Sequence, residues 1–188
     1  FKYLIPTKIQ TSFPLKSNKK LCTIISSNKI IAKATNELYS ERIIAIRWFE
    51  MNHPLDFDLY GIGWNEGEPN KLFGKFINLT KTTLKIYLKL RKYSFINSLL
   101  KPFHLQFPSY IGKVESKNKT LTNYKFSICY ENASNISGYI TEKIFDCFFA
   151  GNIPVYLGAQ NIRDYIPANT FIDKRDFKTY AELYSYMK

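Results

Sequence analysis

The 188 residues predict an α/β protein in which helices flank a parallel sheet. Three observations carry this expectation. Short apolar runs alternate along the chain with longer stretches of helical periodicity, the pattern of successive strand and helix units. The stretch YKFSICYENASNISGYITEKIFDCFFAGNIPVYLG, residues 124–158, reads as strand, polar loop, amphipathic helix, glycine and strand, a complete βαβ unit. With 45% hydrophobic and 22% charged residues, the composition is that of an ordinary globular domain with one sizeable core.

Residues 1–20 contain two prolines, several lysines and little periodicity, and read as a linker or extended arm; residues 21–188 read as the folded domain. Leu21 to Ile25 is a buried strand that ends in Ser26-Ser27-Asn28, polar residues suited to line a ligand crevice. A helix is expected from Thr35 to Met51, with Leu38, Ile43, Ile46 and Phe49 facing the core and with Arg42 and Arg47 on it. Asp56 to Tyr60 reads as the second strand, closing at Gly61 and Gly63. Strand alternation there would place Asp56 and Asp58 on one face, but a DxD triplet recurs often by chance, and both are assigned structural roles. Residues 64–123 are harder to read. Thr83 to Leu100 has the pattern of a basic amphipathic helix, read as a surface helix on the sheet in preference to a membrane-contacting one.

The central unit is more informative. Phe126, Ile128 and Tyr130 alternate with the small Ser127 and Cys129, as in a strand covered on both faces. The strand stops at Glu131-Asn132, and the Asn-, Ser- and Gly-containing loop 133–138 leads to Thr141 as the N-cap of a helix starting at Glu142. Ile144, Phe145, Phe148 and Phe149 form its apolar stripe, Gly151 its C-terminal stop, and Ile153 to Leu157 the next strand. Ligands of such units bind beyond the carboxyl ends of the strands and at the free N–H groups of the helix start. Lys143 lies in that first turn, where the helix dipole disfavours a cation. Either a bound anion offsets the mismatch or the lysine is simply solvated. A last strand, Phe171 to Asp173, and a closing helix, Phe177 to Met187, complete the pattern.

The segments YKFSICYEN, GYITEKIFDCFFAGNIPVYLGA and YIPANTFIDKRDF occur in this order, and together they resemble the donor-binding signature of the glycosyltransferase family 10 α-1,3-fucosyltransferases. The resemblance covers Gly112 to Met187 well and Leu21 to Gly63 loosely. It implies a Rossmann-like parallel sheet with flanking helices, the carboxyl-terminal half of a GT-B glycosyltransferase. The implied reaction is inverting transfer of L-fucose from GDP-fucose to a glycan acceptor, at O3 of N-acetylglucosamine, in the synthesis of a surface glycan such as lipopolysaccharide. It also implies donor binding by Arg42, with Arg47 as the alternative, and by the pair Glu142 and Lys143. Tyr139 could pack on sugar or base, and Glu131 and Asn132 could orient the loop or the nucleotide; core packing, turn formation and capping are the plainer readings of all three. The family often has an arginine where this chain has Ile62, which leaves open a transferase using another sugar nucleotide. No residue of the chain is assigned as the catalytic base; the family places it in an amino-terminal domain, and a chain that begins at Phe1 without methionine leads us to expect that domain to be missing.

The formal charge of +12 calls for anionic partners: a nucleoside diphosphate, a nucleic acid or an acidic membrane. The lysines are spread along the chain, and most Tyr and Phe fit core periodicity, so a nucleic-acid-binding module is the secondary reading. Cys22, Cys129 and Cys147 form no CxxC pair and read as buried free thiols. His53 and His104 stand apart from them, so no metal site is expected. No cofactor is required by these motifs, beyond weak stimulation by a divalent metal. The sequons at Asn78, Asn118, Asn132 and Asn135 read as chance matches. No stretch approaches the roughly 20 apolar residues of a membrane span. The expected location is the bacterial cytoplasm with possible peripheral membrane contact, or the Golgi lumen if the source is eukaryotic.

Overall fold

The computed structural model describes residues 18–29, 36–64 and 107–188. The amphipathic segment 83–100, His104, Asn78 and nearly all of the arm at residues 1–20 lie outside them.

Strand β1, Lys20–Ile25, is followed by helix α1, Tyr39–Asn52, and strand β2, Phe57–Tyr60. Next come a short strand β3, Tyr110–Gly112, and one helical turn and a half in α2, Lys117–Leu121. Strand β4, Tyr124–Tyr130, leads through the polar loop to helix α3, Glu142–Phe149, and strand β5, Ile153–Leu157. Strand β6, Ile172–Asp173, and helix α4, Tyr180–Met187, close the domain. The strands form one sheet in the order β3-β2-β1-β4-β5-β6, and every pairing is parallel. The α/β prediction with a parallel sheet therefore holds.

The two faces of the sheet follow from strand alternation. Ile24, Leu59, Ile128, Tyr130, Val155 and Ile172 point to the face covered by Ile43, Ile46 and Phe49 of α1 and by Tyr180, Leu183 and Met187 of α4. Phe49 stacks on Phe57 with ring centroids 4.8 Å apart, which seats α1 over β2. Cys129 and Tyr156 point to the opposite face, against Leu121 of α2 and Ile144, Cys147 and Ala150 of α3.

Several expectations need correction. Helix α1 begins at Tyr39, four residues later than the periodicity suggested, because Leu38 serves as N-cap and its N–H is already committed to Asn132 O at 3.0 Å. The buried stripe of α3 is Ile144 and Cys147, continued by the C-cap Ala150, while Phe145 and Phe148 only partly pack against it and Phe149 is not part of the cluster. Asp56 is not in a strand. It ends a 3₁₀ turn, Pro54–Asp56, and accepts from Tyr184 and from Lys188 at 3.0 Å, whereas Asp58 accepts from Lys20 and Tyr124, both at 2.7 Å. The two carboxylates serve separate networks and share no face. Helix α2, absent from the sequence reading, is held by Ser116, whose side chain accepts from Lys119 N–H. His53 stacks on Tyr184 at 3.6 Å between centroids.

At the carboxyl end of the sheet β1 and β2 come very close. Gly61 has φ +132°, and a Cβ placed on it would lie 1.7 Å from Ser26 O. Gly112, with φ +143°, has open space where its Cβ would be. Gly61→Ala is expected to lower stability by more than about 3 kcal/mol, or to prevent folding, because backbone strain and a backbone clash add. Gly112→Ala is expected to cost only the backbone component, about 1–2 kcal/mol. Urea unfolding of the two variants measures the difference.

Candidate functional site

The direction of the chain reverses across the sheet between β1 and β4, since β2 and β3 lie on one side of that pair and β5 and β6 on the other. A crevice must open there, because consecutive crossovers leave in opposite directions. A cleft of about 460 Å³ occupies this position. Its floor is the ends of β1 and β4, Ile24 to Ser27 and Ser127 to Tyr130. One wall is Tyr39 and Arg42 of α1 with Asn132, and another is Glu142, Lys143, Asp146 and Cys147 of α3. Gly61, Ile62, Lys113, Val114, Lys117 and Leu121 complete it. Five lining residues are cationic (Lys29, Arg42, Lys113, Lys117, Lys143) and two are acidic (Glu142, Asp146), so the cleft favours an anionic guest.

Glu131 anchors the site from beneath. Its side chain is 0% exposed, and it accepts from Thr141 N–H at 2.8 Å, from the Thr141 hydroxyl at 2.7 Å and from Lys143 Nζ at 2.9 Å. Lys143 also donates to Thr141 Oγ1 at 2.7 Å. Thr141 is the N-cap of α3 as expected, yet its hydroxyl serves Glu131 rather than the helix N–H groups. A buried carboxylate is tolerable only when paired and hydrogen-bonded, and here both conditions are met by the residues that start α3. Glu131 thus supplies the negative charge that explains a lysine in the first helical turn. The sequence had suggested a bound anion or plain solvation for it; the internal ion pair is neither. Gly158 makes room for this arrangement: a Cβ there would lie 2.6 Å from Glu131 Cγ and 2.5 Å from the Tyr156 hydroxyl.

Arg42 is 4% exposed. One terminal nitrogen donates to Tyr130 O at 2.7 Å, Glu131 O at 2.8 Å and Asn132 Oδ1 at 3.0 Å, which fastens α1 to the end of β4. Burial lowers its pKa from the ordinary arginine value, opposed by the neighbouring Tyr39 and Glu131. Arg47, the alternative, is on a different face: it pairs with Glu50 at 2.6 Å, lies over the ring of Phe107 and does not line the cleft. Asn132 and Glu142 line the cleft, whereas Glu131 and Tyr139 do not; the Tyr139 carbonyl accepts from the Tyr156 hydroxyl at 3.5 Å. The structure therefore brings Arg42, Asn132, Glu142 and Lys143 together and places Glu131 and Tyr139 behind them.

Cys129 and Cys147 also line the cleft as free, buried thiols; burial and the adjacent Cys147 raise the Cys129 pKa. Among the described residues, no group of three or more His, Cys, Asp or Glu side chains is placed to hold a metal ion, and no helix is long and apolar enough to cross a membrane. Lys29, Lys113, Lys117 and Asp146 were not singled out from the sequence. For Lys113 the available signal was the glycine before it, at the end of a short strand.

The family model for glycosyltransferase family 10 (fucosyltransferase), C-terminal region, matches residues 77–188, more than half of the chain. The chain belongs to this family. Among family 10 relatives, an α-(1,3)-fucosyltransferase of Helicobacter pylori is 39% identical over 75 residues, which cover 40% of this chain and 16% of that protein. The mouse 4-galactosyl-N-acetylglucosaminide 3-α-L-fucosyltransferase 9 is 42% identical over 79 residues, 40% of this chain and 22% of the mouse protein. The fold is similar to that of solved α1,3-fucosyltransferase structures. One with GDP superposes with TM-score 0.52 at 22% identity over 94% of this chain and 35% of that one; one with GDP-fucose gives 0.51 at 20% identity over 90% and 34%. The sheet is thus the Rossmann-like sheet of a GT-B glycosyltransferase, as the resemblance implied, and the chain spans about a third of those solved proteins.

Arg42→Lys is expected to cost about 1–2 kcal/mol, because a compact, strongly hydrated ammonium is costlier than a guanidinium to hold at this buried position. Chemical unfolding of the variant beside the parent measures it.

Proposed function

We propose that the chain is the donor-binding part of an inverting α-1,3-fucosyltransferase that moves L-fucose from GDP-fucose to O3 of N-acetylglucosamine on a glycan. The observation that carries this reading is the cleft at the β1/β4 reversal, with five cations around it and the α3 start forming one wall. Support comes from the relatives: the mouse protein is named for a 3-α-L-fucosyl transfer to a galactosylated N-acetylglucosaminide, and the solved neighbours are described with GDP-fucose and with GDP.

In such a transfer the acceptor hydroxyl oxygen attacks the anomeric carbon of fucose from the face opposite the departing GDP. Negative charge then grows on the diphosphate, and preorganised cations lower the barrier by meeting it. Lys143 and Arg42 take this role, with the first N–H groups of α3 beside them. Glu142 accepts hydrogen bonds from ribose or fucose hydroxyls, Asn132 lies in the other wall beside Arg42, Glu131 holds the α3 start in position, and Tyr139 belongs to the loop that leads into α3. The base that removes the acceptor proton belongs to the amino-terminal acceptor domain. Protein cations carry the phosphate charge, so a divalent metal is at most a weak stimulant. The acceptor is a surface glycan such as lipopolysaccharide, reached by a cytoplasmic enzyme with peripheral membrane contact.

Calorimetric titration of the protein with GDP-fucose, GDP-mannose, GDP and UDP tests the reading. Saturable binding of the guanosine ligands at least about tenfold tighter than UDP is expected, with GDP-fucose ahead of GDP-mannose. A Lys143→Ala variant shown to be folded should weaken all of the guanosine diphosphates. Equal affinity for UDP would reject a guanosine donor.

A further inference from the structure

We propose that Lys29 and Lys113 form a second cationic wall of the cleft, on the β1–β3 side, which holds the diphosphate of the nucleoside diphosphate donor. This rests on the donor-site reading and adds two ligand-binding residues that the family resemblance did not supply. Two of the five cations are already paired inside the protein, Lys143 with Glu131 at 2.9 Å and Lys117 with Asp146 at 3.1 Å, and Arg42 keeps its charge while one terminal nitrogen serves three neutral oxygens. Lys29 and Lys113 also line the cleft, and among the described residues neither has an ion-pair partner. Both ammonium groups attract an anion with several oxygens bound in this cleft.

The backbone that carries them is built rather than loose. Ser26 N–H donates to Tyr60 O at 3.0 Å, Asn28 N–H to Ile62 O at 2.9 Å, and the Asn28 side chain to Gly63 O at 2.8 Å. Trp64 Nε1 closes over them on Ser26 O at 2.7 Å. Lys29 follows this pinned segment directly. Lys113 follows Gly112, whose φ of +143° turns the chain out of β3 toward the cleft. A second observation points to a ligand: the Ser26 hydroxyl is buried, lines the same cleft and has no hydrogen-bond partner among the described residues. Buried hydroxyls are normally satisfied; this one has no accessible surface as placed, so it meets an oxygen of a guest after its side chain rotates toward the cleft.

The test compares GDP and guanosine binding, by calorimetry and by NMR titration, for the parent, Lys29→Ala, Lys113→Ala and Lys119→Ala. Lys119 is an exposed lysine of α2 outside the cleft, so its variant changes net charge equally and serves as the control. Lys29 and Lys113 are exposed as well, and thermal melting confirms that all variants fold alike. Loss of GDP affinity by about tenfold in each of the first two variants is expected, with guanosine affinity unchanged and the control unaffected. GDP binding by the parent with no change in Lys29→Ala and Lys113→Ala would overturn the second wall and leave the donor site standing. A loss shared by guanosine, or matched by the control, would overturn it too. Failure of the parent to bind GDP would overturn both readings.

Discussion

A carboxylate without solvent contact sits where β4 ends, and its three donors come from Thr141, which caps α3, and from Lys143 in its first turn. Glu131 stands ten residues before Thr141, so this one group closes the intervening loop as well as orienting the helix. Its charge forces the local design. Lys143 must occupy the first turn despite the helix dipole, Thr141 must give its hydroxyl to the carboxylate rather than to the helix, and position 158 must be glycine to clear its methylene carbons. The Glu131 N–H, donating to Leu157 O at 2.8 Å, extends the β4–β5 ladder up to the same point.

Arg42 works on the other side of that strand end. By donating to the carbonyls of Tyr130 and Glu131 and to the side chain of Asn132, it ties α1 to the strand end from which Glu131 holds α3. The cleft lies between them because the strand order reverses at β1 and β4. Topology supplies the opening, and the two buried ionic groups give it fixed walls. Preorganised walls are what an electrostatic role in glycosyl transfer requires, since cations already in place need no reorganisation as charge develops.

Much of this was legible in the sequence. The strand, loop and helix boundaries of the central unit are written in Thr141, Gly151 and the apolar run 153–157, and four of the six residues expected at the site line the cleft. What failed has physical causes. The phenylalanines outweigh Cys147 and Ala150 in bulk and drew the reading to themselves, yet it is Ile144, Cys147 and Ala150 that are buried against the sheet. The partner of Lys143 could not be read because Glu131 is twelve positions away and reaches it only through the fold of the loop. Lys29 and Lys113 follow strands that are distant in sequence, and sheet order brings them to one cleft.

Whether the Glu131–Lys143 pair organises the site is read from a double-mutant cycle of Glu131→Gln and Lys143→Met followed by chemical unfolding. A coupling free energy of at least about 1 kcal/mol is expected, the double variant being less destabilised than the two single losses sum to. Single effects that add to within about 0.3 kcal/mol would contradict it.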